Sequence, residues 1–84
     1  MSEYDSPMSE RVLINLHNLC ATSGDMAKRS EELAQILQTG QDEINRNLDK
    51  HISEGYVESF YDSGGNRRFW LTSKGIIRVC SLFS

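Results

Sequence analysis

The chain has no apolar run approaching the roughly 18 residues of a transmembrane helix. Its opening residues, MSEYDSPMSE, are polar and acidic, unlike the basic-then-apolar start of a secretory signal. The expectation is a soluble, cytoplasmic protein that does not use a membrane. Proline occurs once and glycine six times in 84 residues, with no low-complexity run, which excludes a disordered segment or a linker. Cysteine is confined to Cys20 and Cys80, too few for a disulfide scaffold. Each lies in an apolar stretch, so both are expected as buried thiols, with a bridge between the first and last helices as the alternative.

Metal chemistry has little to draw on. His17 stands one helical turn before Cys20, and His51 with Cys80 could complete a four-ligand set. Structural zinc sites, however, start from a close Cys-x₂₋₄-Cys pair, which neither cysteine has. No metal is expected; His17 reads as a surface or interface residue and His51 as a hydrogen-bonded core histidine. No nucleophile stands with a base and an orienting group, and Gly64-Gly65 falls between strands rather than ahead of a helix, so an enzyme and a phosphate loop are both excluded. Neither a cofactor nor a small-molecule ligand is implied.

What remains is an ordinary globular composition, 38% hydrophobic and 25% charged, in a chain of single-domain length spanning 1–84. At this size folding hides only about 60–65% of the unfolded surface, so the core is thin. The formal net charge is −3 and unevenly spread: residues 1–32 and 33–58 carry −3 each, whereas residues 59–84 carry +3. An acidic whole disfavours indiscriminate nucleic-acid binding, while the basic final third allows a local patch.

Ser6-Pro7 reads as a helix start, a Ser cap with Pro at the first helical position. Met8, Val12, Leu16, Leu19 and Cys20 then recur at helical spacing, with Leu13 at the edge of the stripe and Ile14 facing away from it. This helix is expected to run to about Ala21 and end near Thr22-Ser23-Gly24. Ser30 caps a second helix whose first turn holds Glu31 and Glu32 and whose apolar face is Leu33, Ala34, Ile36 and Leu37. Gly40 is expected to make the tight turn into a third helix carrying Ile44, Leu48, His51 and Ile52, stopped by Gly55. Tyr56–Tyr61 and Arg67–Thr72 are rich in strand formers around the turn-forming residues 62–66, with Phe69 and Leu71 inward and Trp70 on the sheet's other side. Ser73 caps a last helix over about 73–83. The order is α-α-α-β-β-α.

Two short helices joined by a tight turn, the second leading through glycine into a hairpin, form the layout of a winged helix-turn-helix. The spacing Leu33-Ala34…Leu37…Gly40…Ile44…Leu48…Ile52…Gly55-Tyr56-Val57 resembles the bacterial and archaeal regulator pattern. The run Arg68-Phe69-Trp70-Leu71-Thr72-Ser73-Lys74-Gly75 resembles the wing ending of MarR-like and PadR-like families. The resemblance covers roughly residues 8–80. It implies an α+β winged-helix domain, double-stranded DNA as partner and a role in transcription regulation. The chain departs from the family pattern at Thr39 in the turn, at His51 where a leucine commonly closes the third helix, and at Asp42 and Asp49 on that helix's exposed side.

In that frame the third helix is the recognition helix. Arg can read guanine, and Asn or Gln adenine, through paired hydrogen bonds in the major groove, which singles out Gln41, Asn45 and Arg46, with Lys50 beside them. On a helical wheel Asp42, Arg46, Asp49, Lys50 and Ser53 point outward, with Gln41 and Asn45 on the flank. Arg67 and Arg68 at the hairpin can reach phosphates or the minor groove, one of them on each strand face. Lys28 and Arg29, just before the second helix, are further phosphate candidates. The competing reading is a winged-helix protein-interaction module that binds no DNA, which the acidic helices favour.

The last helix carries apolar residues round far more than the 100° or so that one packed face requires. Ile76, Ile77, Val79, Cys80, Leu82 and Phe83 leave only Lys74, Arg78 and Ser81 as a polar stripe. A homodimer built on Ile77, Val79, Leu82 and Phe83, together with Ile14 of the first helix, is the expectation.

Overall fold

A computed structural model describes residues 7–83. Along the chain come α1 (Met8–Asn18), a 3-10 turn (Gly24–Met26), β1 (Lys28–Arg29), α2 (Ser30–Leu37), α3 (Gln41–Ser53), β2 (Val57–Tyr61), β3 (Arg67–Leu71) and α4 (Ser73–Leu82). The expected Ser6 cap lies outside the described residues, and Pro7, expected at the first helical position, is itself the cap of α1, which begins at Met8. The helix and hairpin order agrees with the sequence pattern; β1 was not expected.

Three successive helices end by one backbone device. A residue in the left-handed region turns the chain, and two reversed hydrogen bonds satisfy the last carbonyls. After α1, Ala21 N–H donates to Leu16 O at 2.9 Å and Cys20 N–H to His17 O at 3.0 Å, with Cys20 at φ 57°. After α2, Thr39 N–H reaches Ala34 O at 3.1 Å and Gln38 N–H reaches Gln35 O at 3.3 Å, with Gln38 at φ 54°. After α3, Gly55 has the same role at φ 82°. Only one of the three turning residues is the glycine that normally marks the motif. That is why α1 stops before Cys20 rather than running to Ala21. It also corrects the role of Gly40, which is extended at φ −69° as the cap of α3 while Gln38 makes the turn.

The starts of α2 and α4 are each displaced by one residue from expectation. Ser30 is the first residue of α2; Arg29 is its cap, and its N–H donates to Glu32 Oε1 at 3.4 Å. Thr72, not Ser73, caps α4: its hydroxyl accepts from Gly75 N–H at 3.0 Å and donates to Gly55 O at 2.6 Å, joining the start of α4 to the end of α3.

The sheet is antiparallel in the order β1-β3-β2, with Val57 opposite Leu71 and Ser59 opposite Phe69. Strand alternation sends Phe69 and Leu71 into the core, each about 1% exposed. Trp70 lies on the opposite face against Phe60, ring centres 5.8 Å apart. The core joins Val12, Leu13, Leu16, Leu33, Ile44, Leu48, Val57, Phe69, Leu71 and Val79. His51 is buried among them, with Nε2 2.8 Å from Ser9 O and Nδ1 3.2 Å from Glu54 Oε1, so that it links α3 to α1.

Several expected surface and core assignments change. Ile14 does not face away from the domain: it is 6% exposed and belongs to the core. Val79 is wholly buried, and Leu82 packs against the same core. Ile36 leaves the apolar face of α2 and is exposed, and both cysteines are exposed rather than buried. Among the described residues no helix is long and apolar enough to cross a membrane.

Candidate nucleic-acid interface

A polar cleft of about 390 Å³ separates α3 from the hairpin. Helical geometry puts every fourth residue on one face, and the cleft side of α3 is formed by Gln41, Asn45 and Asp49. Asn66 and Arg67 of the hairpin stand opposite them, and Arg29 closes the end at the start of α2. Asp49 therefore belongs with Gln41 and Asn45, not with Arg46 and Lys50 as the helical wheel suggested. Arg46 is exposed outside the cleft, while Lys50 borders a second cleft of about 330 Å³ beside His51, Glu54 and Arg78. Lys28 and Arg68 also lie outside the α3–hairpin cleft.

Polar contacts fix the cleft's walls. Gln41 Nε2 donates to Ser30 Oγ at 3.1 Å, tying the first turn of α3 to that of α2. This leaves the second N–H of the Gln41 amide and its carbonyl oxygen for another partner. Arg29 lies 3.7 Å from Glu31 Oε1 and 3.8 Å from Glu32 Oε1, and its buried Nε has no hydrogen-bond partner. Arg67 is held from three sides: Nη1 donates to Asp49 Oδ1 at 3.0 Å, Nε donates to Ser59 Oγ at 3.2 Å, and the guanidinium lies 4.9 Å from the Phe69 ring centre.

Arg68, the next residue, does different work. Its Nε donates to Asp62 Oδ2 at 2.7 Å and its Nη1 to Ala27 O at 3.5 Å, away from α3. Asp62 Oδ1 meanwhile accepts from the backbone N–H groups of Gly64 and Asn66, each at 2.9 Å. One carboxylate thus organises the whole hairpin tip. The Arg68 guanidinium, followed by the Asn66 and Gly64 amides, holds the Asp62 carboxyl below the usual carboxylate range.

Sequence reasoning missed Asp49 as the partner of Arg67 and Ser30 as the partner of Gln41. For the first, the four-residue spacing of Gln41, Asn45 and Asp49 gives the face that Asp49 shares, but not that the hairpin brings Arg67 to it. The second depends on how α2 and α3 cross, which no local pattern encodes.

On the side of α4 away from the core, Ile77 is 70% and Phe83 62% exposed, with Cys80 exposed between them. These two hydrophobics are the accessible part of the face expected to pair two copies. Ile14 and Val79, being core residues, are withdrawn from it.

No family model and no curated protein sequence matches the chain. Solved structures do resemble it. A candidate DNA-binding protein from Ralstonia eutropha superposes with TM-score 0.79 at 20% identity, covering 94% of this chain and 98% of that one. TubR from Bacillus megaterium gives 0.79 at 16%, covering 95% and 89%. A MarR variant from E. coli, solved with operator DNA, gives 0.74 at 22%, covering 90% of this chain but 51% of that one. The fold is the winged helix-turn-helix, and the chain spans about half the length of MarR.

Proposed function

We propose that this winged-helix chain binds double-stranded DNA as a transcriptional regulator, with α3 in the major groove and the hairpin as its wing. The observation that carries the reading is the convergence of Gln41, Asn45, Arg29 and Arg67 on one cleft between α3 and the wing. The operator-bound MarR variant, which shares the fold, supports it. The N–H and carbonyl that Gln41 keeps open are the pair that reads adenine, and Asn45 offers the same pair one turn on. Arg46, exposed on the outer side of α3, is the guanine reader, while Lys50 meets the neighbouring backbone. The guanidinium groups of Arg29 and Arg67, both lining the cleft, supply phosphate or minor-groove contacts. Lys28 and Arg68 contribute charge at the edge of this surface, Arg68 chiefly by shaping the wing tip.

The same reading includes a homodimer in which the exposed face of α4, centred on Ile77 and Phe83, meets a second copy. Such a pair presents two recognition helices, which read one face of a duplex when about 34 Å or a multiple of it apart.

Selection of bound sequences from random duplexes, followed by affinity measurements across salt, tests the function. The expected result is an enriched palindrome, with affinity falling by at least about tenfold between roughly 50 and 200 mM salt. Absence of binding to any duplex at the lower salt would replace this reading with a protein-interaction module, the use that the acidic balance favours.

A further inference from the structure

Arg67 is an already paired cation in a protein whose net charge is −3. Its guanidinium is already held by Asp49, Ser59 and the Phe69 ring. Asp49 in turn is 60% exposed, so its second carboxylate oxygen is open to solvent on the face that Gln41 and Asn45 share. Resting on the DNA-binding reading, we propose that Asp49 is a specificity-determining residue that makes use of Arg67 conditional on the base sequence.

The chemistry is a competition between acceptors. A DNA phosphate competes with the Asp49 carboxylate for the Nη1 side of Arg67. An exposed ion pair resists displacement by up to about fivefold in equilibrium, so the pair alone discriminates weakly. Its larger effect lies in what Asp49 meets once Arg67 leaves. A carboxylate needs a donor, and in the major groove donors are supplied by the amino groups of cytosine and adenine. A duplex with such an amino group opposite Asp49 gives both residues partners. A duplex offering only guanine or thymine acceptors there leaves the carboxylate unpaired and repelled by phosphate. One acidic side chain on the recognition helix thereby suppresses non-specific binding while allowing the selected site.

The test compares Asp49→Asn with Asp42→Asn, a change of equal charge at an exposed position of α3 outside the cleft. Each variant, the Arg67→Gln variant and the double variant Asp49→Asn/Arg67→Gln are titrated against the selected duplex and a scrambled duplex of equal length. Asp42→Asn is expected to tighten both duplexes alike, leaving their ratio within about twofold. Asp49→Asn is expected to tighten the scrambled duplex preferentially and cut the ratio by roughly tenfold. That loss should shrink when Arg67 is already Gln, a coupling that a purely additive charge effect does not produce. Equal ratios for Asp49→Asn and Asp42→Asn, or strict additivity in the cycle, overturn the inference and leave DNA binding intact. A parent protein that binds neither duplex overturns the DNA-binding reading, and this inference with it.

Discussion

The helices α1 and α4 pack side by side, and each carries apolar residues beyond a single packed face, yet they meet opposite fates. α1 packs against α2, α3, α4 and β3, and even Ile14, which the periodicity placed off its apolar stripe, is covered. α4 packs on α1 and β3 and leaves Ile77 and Phe83 in solvent. Burial follows from how many neighbours the topology assigns to an element. The width of an apolar arc sets only how many neighbours it could accept.

The strongest way to break that comparison is to put the same charge on both helices. Ile14→Glu should cost several kcal/mol by burying a carboxylate in the core, enough to unfold a domain of this size. Ile77→Glu should change stability by no more than about 0.5 kcal/mol while driving a self-associating protein to monomer in sedimentation at micromolar concentration. Chemical denaturation gives the first effect. Similar unfolding midpoints for the two variants would remove the distinction between the helices.

A smaller effect sharpens how α4 is seated. A Cβ on Gly75 would run into the Tyr56 carbonyl oxygen and press on Leu71 Cδ2 at 3.0 Å. Gly75→Ala should therefore destabilise by about 1–3 kcal/mol, although alanine is the better helix former by about 1 kcal/mol. Ser73→Ala, exposed in the same first turn, should be nearly neutral. A urea series in which the two midpoints coincide rules out close backbone contact as the constraint on α4.

The smallest effect concerns the hairpin beside both helices. Because Asp62 is held below its unfolded pKa, chiefly by Arg68 and then by the Asn66 and Gly64 amides, its ionised form favours the folded hairpin. Its stabilisation is present above the unfolded carboxylate pKa and is lost as pH falls through the lower folded value. The protection of the Gly64 and Asn66 amides against exchange, measured relative to the intrinsic rate at each pH, should fall over that interval, and Asp62→Asn should remove the dependence.

Much of this architecture was legible locally. Val57, Phe69 and Leu71 follow strand alternation, Ile44, Leu48 and His51 follow helical spacing, and Gly55 stops α3 where a glycine should. The misses have two physical origins. Cys20 and Gln38 take left-handed conformations that residue type disfavours, because the reversed hydrogen bonds of the closing turns override intrinsic preference. Ile14, Asp49 and Ser30 acquire their roles from residues distant in sequence, so the periodicity of their own helix could not assign them. Of the proposed DNA surface, residue chemistry suggested Gln41, Asn45, Arg29 and Arg67. Only the crossing of α3 with the wing brought them to one cleft and separated Arg68 from it.

The two residues of β1 have an effect out of proportion to their length. Lys28 and Arg29 pair with Phe69 and Arg68 of β3, and Arg29 also caps α2. Ser30 then grips Gln41 of α3, and Asp49 of α3 grips Arg67 of β3, returning to the strand where the circuit began. The elements around the cleft therefore form a closed ring of contacts, in which only the side-chain link between Asp49 and Arg67 has to open for a new partner. Such a surface meets its partner already shaped. Little chain entropy remains to be lost on association, so selectivity comes from goodness of fit, and a poor match shows itself as rapid departure rather than slow arrival.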